Sequence, residues 1–415
     1  MSARVIVLDD DPTGTQCASG VPVALDPRQD ALTRLDGRAR DGRALYVLTN
    51  TRAVEAQDAA RIVRGVRTAF EGAAGDTILV LRGDSTLRGH IAAEMNALDL
   101  ARGVGLIVPA YPAAGRVTLG GIHYLESAAG RVTVADTEFA KDPVFGFRSR
   151  TMAAWCREVG LRGEVIEVGL DQLRSSGPAC VRDALVSGPP GAIVVPDATH
   201  DDDIAAIAAG FSAARAAGRH IVVRCAAPLA AAIAGAPGRI LIPSPRPAGR
   251  MLVVCGSHTA AASRQLDALA ARGYPTRILP TADLMAPGSA GELAAAPRAA
   301  LAASGLAVIA TERARRGDHG TLDVAARVMT GLMRVVRALA DETDVIVAKG
   351  GITSAEVAIS GLDGSIAHVR GQITTGIALW DVTAGDGRVV PEAVVPGNVG
   401  DDATLAEVCR FFGVH

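Results

Sequence analysis

The sequence predicts an α/β chain built as two α/β domains, each with a mostly parallel or mixed sheet flanked by helices. Three observations predict it. Short apolar runs alternate with Ala/Arg/Leu-rich stretches of helical period, the order that a helix-covered sheet requires. The length, 415 residues, exceeds what one core usually organises. The stretch 241–250, LIPSPRPAGR, sets three prolines in an extended crossing, after which a second βα series starts. The expected domains are 1–245 and 246–415.

In the first domain the apolar runs place strands at 4–8, 21–25, 44–48, 77–81, 105–108, 192–195 and 220–224, with helices such as 58–71 and 201–216 between them. The Gly-rich stretch 120–150, containing KDPVFGF, breaks the rhythm and reads as an insertion or loop. In the second domain the order is strand 251–254, helix 259–272, strands 276–279 and 306–311, helix 321–341 and strand 344–347. A Gly-rich, β-leaning tail then ends in helix 402–412.

Composition excludes several classes. The 42 basic residues against 44 acidic ones leave a net charge of −2, which argues against nucleic-acid binding through bulk charge. No window holds the roughly 18 apolar residues of a membrane span. The start, MSARVIVLDD, reads as a strand rather than a targeting segment. The six cysteines form no CxxC pair, as expected of free thiols in a reducing compartment. A soluble cytoplasmic protein is the expectation, with no nucleic-acid or membrane partner and a homodimer as the base-rate assembly.

Six motifs carry chemistry. The first strand runs into Asp9-Asp10-Asp11-Pro12-Thr13-Gly14, and ligands of open α/β sheets sit beyond such strand ends. Three adjacent acids are more than a helix cap needs. The second motif, Arg82-Gly-Asp84-Ser85-Thr-Leu-Arg88-Gly89, offers two guanidiniums, a carboxylate and hydroxyls, a set suited to a polyhydroxy acid. The third runs from Pro109 through Tyr111 to Arg116 and joins Gly120-Gly121-Ile122-His123; His123 by itself reads as structural more readily than catalytic. The other three are glycine loops opening onto helices: Gly256-Ser257, Lys349-Gly350-Gly351-Ile352-Thr353, and Pro396-Gly397-Asn398-Val399-Gly400. Such loops let a backbone approach phosphate and aim free N–H groups at it. No GxxxxGK[ST], HExxH or GxSxG occurs.

Taken together and in this order, the motifs resemble the four-carbon acid sugar kinase family. Asp10-Asp11-Pro12-Thr13-Gly14 matches its Asp-Asp-x-Thr-Gly. The run from Arg82 to Gly89 matches its Lys-x-Asp-Ser-Thr-Leu-Arg-Gly, with Arg82 for the usual Lys. The run from Pro109 to Arg116 matches its Pro-Ala-Phe-Pro-x-x-Gly-Arg, with Tyr111 for Phe. The three glycine loops match its C-terminal motifs, except that Ile352 stands where many members carry an acid.

The resemblance implies an ATP- and Mg²⁺-dependent kinase acting on the terminal hydroxyl of a tetronate or 3-oxo-tetronate. It implies acid-sugar binding in the first domain and ATP binding in the second. Asp11, or else Asp10, would accept the hydroxyl proton. Arg82 and Arg88 would hold the substrate carboxylate, Asp84 and Ser85 its hydroxyls, with Arg116 also in the site. Ser257, Gly350, Gly351, Ile352, Thr353, Gly397 and Gly400 would contact ATP; Lys349 is open between assisting and structural roles, and no metal ligand is assigned. Domain closure would expel water. Two other readings compete. One is a haloacid-dehalogenase-like phosphohydrolase with Asp9 as nucleophile, Asp11 as acid/base and Asp197 and Asp201 as its acidic pair. The other is a non-enzymatic sugar-acid-binding protein.

Overall fold

The computed structural model describes residues 3–33, 35, 43–71, 76–127, 130–243, 249–313, 322–397 and 399–414. Residues 244–248 of the proline-rich crossing, Thr321 of the expected long helix and Asn398 of the last glycine loop lie outside the described residues. The chain divides into two compact units, Met1–Gly238 and Arg239–His415. Both are α/β, as predicted.

The first unit contains β1 (Arg4–Asp9), β2 (Val21–Ala24), β3 (Ala44–Leu48), β4 (Thr77–Arg82), β5 (Val104–Val108), β6 (Arg116–Leu119), β7 (Ile122–Ser127), β8 (Gly130–Thr133), β9 (Val165–Val168), β10 (Ile193–Pro196) and β11 (Ile221–Cys225). Its main strands run in the order β2-β3-β1-β4-β11-β5-β10-β9, every pair parallel. Parallel strands covered on both faces need apolar residues at successive positions, and Ile6, Val7 and Leu8 are all buried. The helix Ala56–Phe70 covers the sheet with Ala60, Val63, Val66, Ala69 and Phe70, a helical stripe facing one core. Each large apolar side chain so buried is worth roughly 1.5–3 kcal/mol before entropy is counted. From β1 the chain goes first to β2 and β3 on one side and then crosses to β4 on the other. That reversal opens a crevice at the carboxyl ends of β1 and β4.

The 120–150 stretch is more ordered than its glycines suggested. β6, β7 and β8 form an antiparallel sheet. Gly120 and Gly121 join β6 to β7 at φ 60° and 68°, the paired left-handed conformation of a tight hairpin. The second half folds into the short helical turns Val134–Asp136 and Glu138–Lys141. Edge strand β9 was also missed by the sequence reading.

The second unit contains β12 (Met251–Cys255), β13 (Thr276–Leu279), β14 (Leu306–Thr311), β15 (Val345–Lys349), β16 (Ile366–Thr374), β17 (Ile377–Thr383) and β18 (Val389–Val395). The order is β13-β14-β12-β15-β18-β17-β16. β12 to β15 are parallel, and β18 joins β15 in parallel; β16, β17 and β18 pair antiparallel. The helix Ala260–Ala270 shares a core with Val253 and Cys255, and its first turn is capped by Thr259, which accepts from the Ala262 N–H at 3.2 Å. Here too the strand order reverses at β12, so the crevice lies between the ends of β12 and β15.

Candidate functional site

In the first unit the parallel register sets Asp9 opposite Arg82. Both are buried, and Arg82 Nη1 donates to Asp9 Oδ1 at 2.8 Å and to the Asp11 carbonyl at 3.1 Å, with Asp10 Oδ1 at 3.5 Å. Burial pushes the Asp9 carboxyl up to about 7, against the pull of Arg82. The turn Pro12–Cys17 lies directly on this pair. A Cβ on Gly14 would collide with the Asp9 carboxylate, which explains the glycine of the Asp-x-Thr-Gly run. Arg82 was expected to hold the substrate carboxylate. It is instead 4% exposed and serves as the internal counter-ion of the acids.

Asp10 is equally committed. Its Oδ2 accepts from Arg224 Nη2 at 2.9 Å, and Arg224, on β11, also pairs with Glu94, which takes a further bond from the Thr51 hydroxyl. A Cβ on Gly83 or Gly89 would strike the Arg224 guanidinium, so the Arg82-to-Gly89 loop needs both glycines to wrap over it. Asp10, an expected alternative proton acceptor, thus holds the site from below.

Asp11 alone of the trio reaches solvent: its side chain is 19% exposed, against 2% for Asp9 and Asp10. Thr13 donates to Oδ1 from its N–H, at 2.8 Å, and from its hydroxyl; Arg52 pairs with Oδ2. Burial would raise the Asp11 carboxyl, but Arg52, Arg82 and the Thr13 bonds outweigh it and hold the group below the ordinary carboxylate range. Asp84 is held well below that range too: its burial is outweighed by Arg52, Arg88 and Thr86.

The expected polar set surrounds these acids. Arg88 Nε donates to Asp84 at 2.7 Å while its guanidinium lies 5.1 Å from the Phe139 ring centroid, so the ordered insertion supplies a wall beside it. Leu87 between them sits at φ 73°, a left-handed conformation that costs an L-residue roughly 1–3 kcal/mol. Ser85 is half-buried, and its carbonyl accepts from His123 Nε2 at 2.8 Å; His123 Nδ1 lies 3.0 Å from the Thr118 hydroxyl. A carbonyl only accepts, so Nε2 carries the proton and Nδ1 accepts from Thr118. Burial pushes His123 down to about 4, and the residue acts as a neutral strut, in line with the plainer reading of it. Arg116 is half-buried and donates to the Ala114 carbonyl; no carboxylate is within ion-pair distance of it among the described residues. Burial lowers it, while the Asp84 charge raises it.

Sequence reasoning missed Arg52, Glu94 and Arg224. Arg224 could have been found: a cation inside an otherwise apolar strand demands a buried partner. Arg52 stands just beyond the carboxyl end of β3, the same positional clue that singled out the acids. Glu94, mid-helix, carried no signal. The phosphohydrolase reading fares poorly. Asp9 is covered by the Gly14 turn and bonded to Arg82, and Asp197 accepts from the N–H groups of Gly120, Gly121 and Leu170 at 2.7, 3.1 and 3.2 Å, a structural role.

In the second unit the glycine loops converge. A Cβ on Gly256 would lie 2.5 Å from Thr353 Oγ1, one on Gly350 2.9 Å from the same atom, and one on Gly397 2.7 Å from Ser257 Oγ. Thr259 Oγ1 donates to the Gly397 carbonyl at 2.6 Å. Gly350, at φ 120°, and Gly351 open the helix Gly351–Glu356; Thr353 is buried and Ile352 is 54% exposed. Gly400 is not brought to Ser257: it packs on Thr404 at the next helix start. Lys349 is fully buried and donates to the carbonyls of Pro396 at 2.8 Å and Val399 at 3.3 Å, which ties the last loop to β15. Burial pushes its ammonium down to about 8.

Comparison with known proteins agrees with this division. Residues 5–233 match the family described as a sugar-binding N-terminal domain, and residues 252–405 match its companion, a nucleotide-binding C-terminal domain. This chain belongs to the four-carbon acid sugar kinase family. A four-carbon acid sugar kinase is a phosphotransferase with an alcohol group as acceptor. One family relative, a D-threonate kinase of Bordetella bronchiseptica, is 29% identical over 90% of this chain and 87% of its own. Another, a D-erythronate kinase of Heliobacterium modesticaldum, is 28% identical over 64% of this chain and 60% of its own. A solved Salmonella typhimurium LT2 chain, provisionally described as a tRNA synthase, superimposes with TM-score 0.76 at 20% identity over the whole of both chains, a likeness of fold alone. Among the described residues no helix of this acid sugar kinase family member is long and apolar enough to cross a membrane.

Proposed function

We propose that the chain is an ATP-dependent kinase that phosphorylates the terminal hydroxyl of a four-carbon acid sugar, a tetronate or 3-oxo-tetronate. The observation that carries the reading is the exposure of Asp11 alone among three acids, in a first-unit site that also offers Arg88 and Arg116. In this reading Arg116 takes the substrate carboxylate, the role first expected of Arg82, and Arg88 flanks it. Asp84 and Ser85 accept and donate to the chain hydroxyls.

Asp11, ionised at neutral pH, orients the terminal hydroxyl and accepts its proton. The hydroxyl oxygen bonds to the γ-phosphorus as the bond to the β,γ-bridging oxygen breaks, and ADP leaves. A strong base is not required, because phosphoryl transfer passes through a loose transition state in which positioning and charge neutralisation dominate. The backbone at Ser257, Gly350, Gly351, Ile352, Thr353 and Gly397 would hold the phosphates. Mg²⁺, carried mainly by phosphate oxygens and water, would neutralise charge there. Among the described residues no group of three or more His, Cys, Asp or Glu side chains forms a metal cage of its own.

The acids in the relatives' names, D-threonate and D-erythronate, differ only in the configuration of one hydroxyl-bearing carbon, so the assay compares both isomers. The test measures Mg²⁺-dependent ADP formation from ATP over the tetronates, their 3-oxo forms and branched acids, with a phosphate-release control on sugar phosphates. ADP together with a phosphorylated acid identified by mass is expected. Phosphate release from a sugar phosphate, with no ADP from any acid, would overturn the reading.

A further inference from the structure

Arg313 stands two residues beyond β14, which runs parallel to β12 with Ala310 opposite Cys255; on the other side of β12, Lys349 of β15 is opposite the same Cys255. Arg313 and Lys349 therefore flank the Gly256–Ser257 turn from the two neighbouring strand ends. Arg313 is half-buried, and its partners among the described residues are all neutral. Nε and Nη2 donate to Ser263 Oγ at 3.3 and 3.0 Å, and Nη1 lies 3.8 Å from Cys255 Sγ. The adjacent acid is engaged elsewhere: Glu312 accepts from the Thr281 hydroxyl at 2.7 Å. Arg264, the next residue of the helix after Ser263, is by contrast paired with Asp402.

A half-buried guanidinium with no carboxylate partner among the described residues carries a charge that they leave uncompensated, and desolvation makes that costly unless an anion arrives. Its present bonds occupy Nε–H and one N–H on each terminal nitrogen. The two N–H groups left on the terminal nitrogens lie in the plane of the guanidinium fork and can donate to phosphate oxygens. Ser263 and Cys255 fix the plane of that fork beside the turn, so little side-chain freedom is left to lose on binding.

We propose that Arg313 is a polyphosphate ligand of the second unit, bridging Cys255 and Ser263 and presenting its free N–H pair to a phosphate oxygen of a nucleotide held at the Gly256–Ser257 turn. The inference rests on the nucleotide reading above and adds to it a cation from outside the three glycine loops. Lys349, spent on two carbonyls, positions the last loop, and Arg313 supplies the charge that reaches the ligand.

The experiment is calorimetric titration of the full chain with ADP and with adenosine, comparing wild type, Arg313→Ala, Arg313→Lys and Ser263→Ala. Loss of a charge-assisted bond predicts that Arg313→Ala weakens ADP about ten- to a hundredfold while adenosine affinity holds. Arg313→Lys should recover part of the loss. Ser263→Ala removes the tether but keeps the charge, so it should weaken ADP much less. Unchanged ADP affinity in Arg313→Ala would overturn the proposal. So would an equal loss for ADP and adenosine, or a loss in Ser263→Ala as large as that in Arg313→Ala, since both describe a structural brace. Wild-type protein that bound neither ligand would overturn the nucleotide reading itself.

Discussion

Asp11 owes its position to two constraints that act on single residues. Asp9 ends a buried strand and must face Arg82, and Asp10 must meet Arg224; only Asp11, as the cap of the following turn, is left at the surface. Its ionised state is secured by Arg52 and Thr13, so replacing it by Asn removes the proposed proton acceptor while keeping the shape and the Thr13 contacts. Asp11→Asn is expected to lower kcat by about a hundredfold or more, the usual worth of a positioned base. The unfolding midpoint should fall only modestly, because Arg52 loses its Asp11 partner but keeps Asp10 nearby. Steady-state kinetics with a thermal melt checks this, and a variant with full turnover removes Asp11 from the role.

Strand ends and the turns that close over them set the site at the next scale. β1, β4 and β11 deliver Asp9, Asp10, Arg82 and Arg224 to one buried layer, and the glycines at 14, 83 and 89 let the turns lie flat on it. Charges taken out of water in this way are held by mutual pairing, and removing one partner strands the others. Arg224→Met is therefore expected to destabilise the first unit by about 3–5 kcal/mol. Adding Glu94→Gln should recover part of that cost, because burial already raises the Glu94 carboxyl and the amide carries no charge to strand. Urea denaturation of both variants is the measurement; a cost below about 1 kcal/mol for Arg224→Met would mean the layer is hydrated. The strands themselves were legible, since apolar runs and acid-rich ends are local patterns. The hairpin at Gly120-Gly121 was read as an insertion or loop, because its Gly-rich composition is that of a loop; the paired glycines are the local signal that could have shown it.

For the whole molecule, the pH dependence of stability combines groups with opposite signs. His123 is pushed from 6.5 to about 4, so its contribution is present above pH 6.5 and is lost as pH falls toward 4. Asp9, raised from 3.8 to about 7, acts oppositely: folding binds its proton, and that stability is lost as pH rises through about 7. The two slopes overlap and flatten the wild-type curve. His123→Gln removes one of them. The melting-temperature advantage of wild type over His123→Gln should therefore shrink between pH 6.5 and 4, a window in which Asp9 titrates alike in both proteins. An advantage that stays constant across the window would show that His123 does not remain neutral in the fold.

The sequence by itself determined the α/β class, most strands of both units, the family, and the loops on which the proposed chemistry rests. All of these rest on local signals: hydrophobic period, glycine at turns, and acids or hydroxyls just past a strand. Only the tertiary structure decided which of three adjacent acids meets solvent, that Arg82 faces inward, and that Arg116 has no carboxylate partner among the described residues. Exposure and pairing depend on neighbours far away in the chain. Asp10 and Arg224 are 214 positions apart, and a buried charge takes its partner from whichever strand the topology sets beside it.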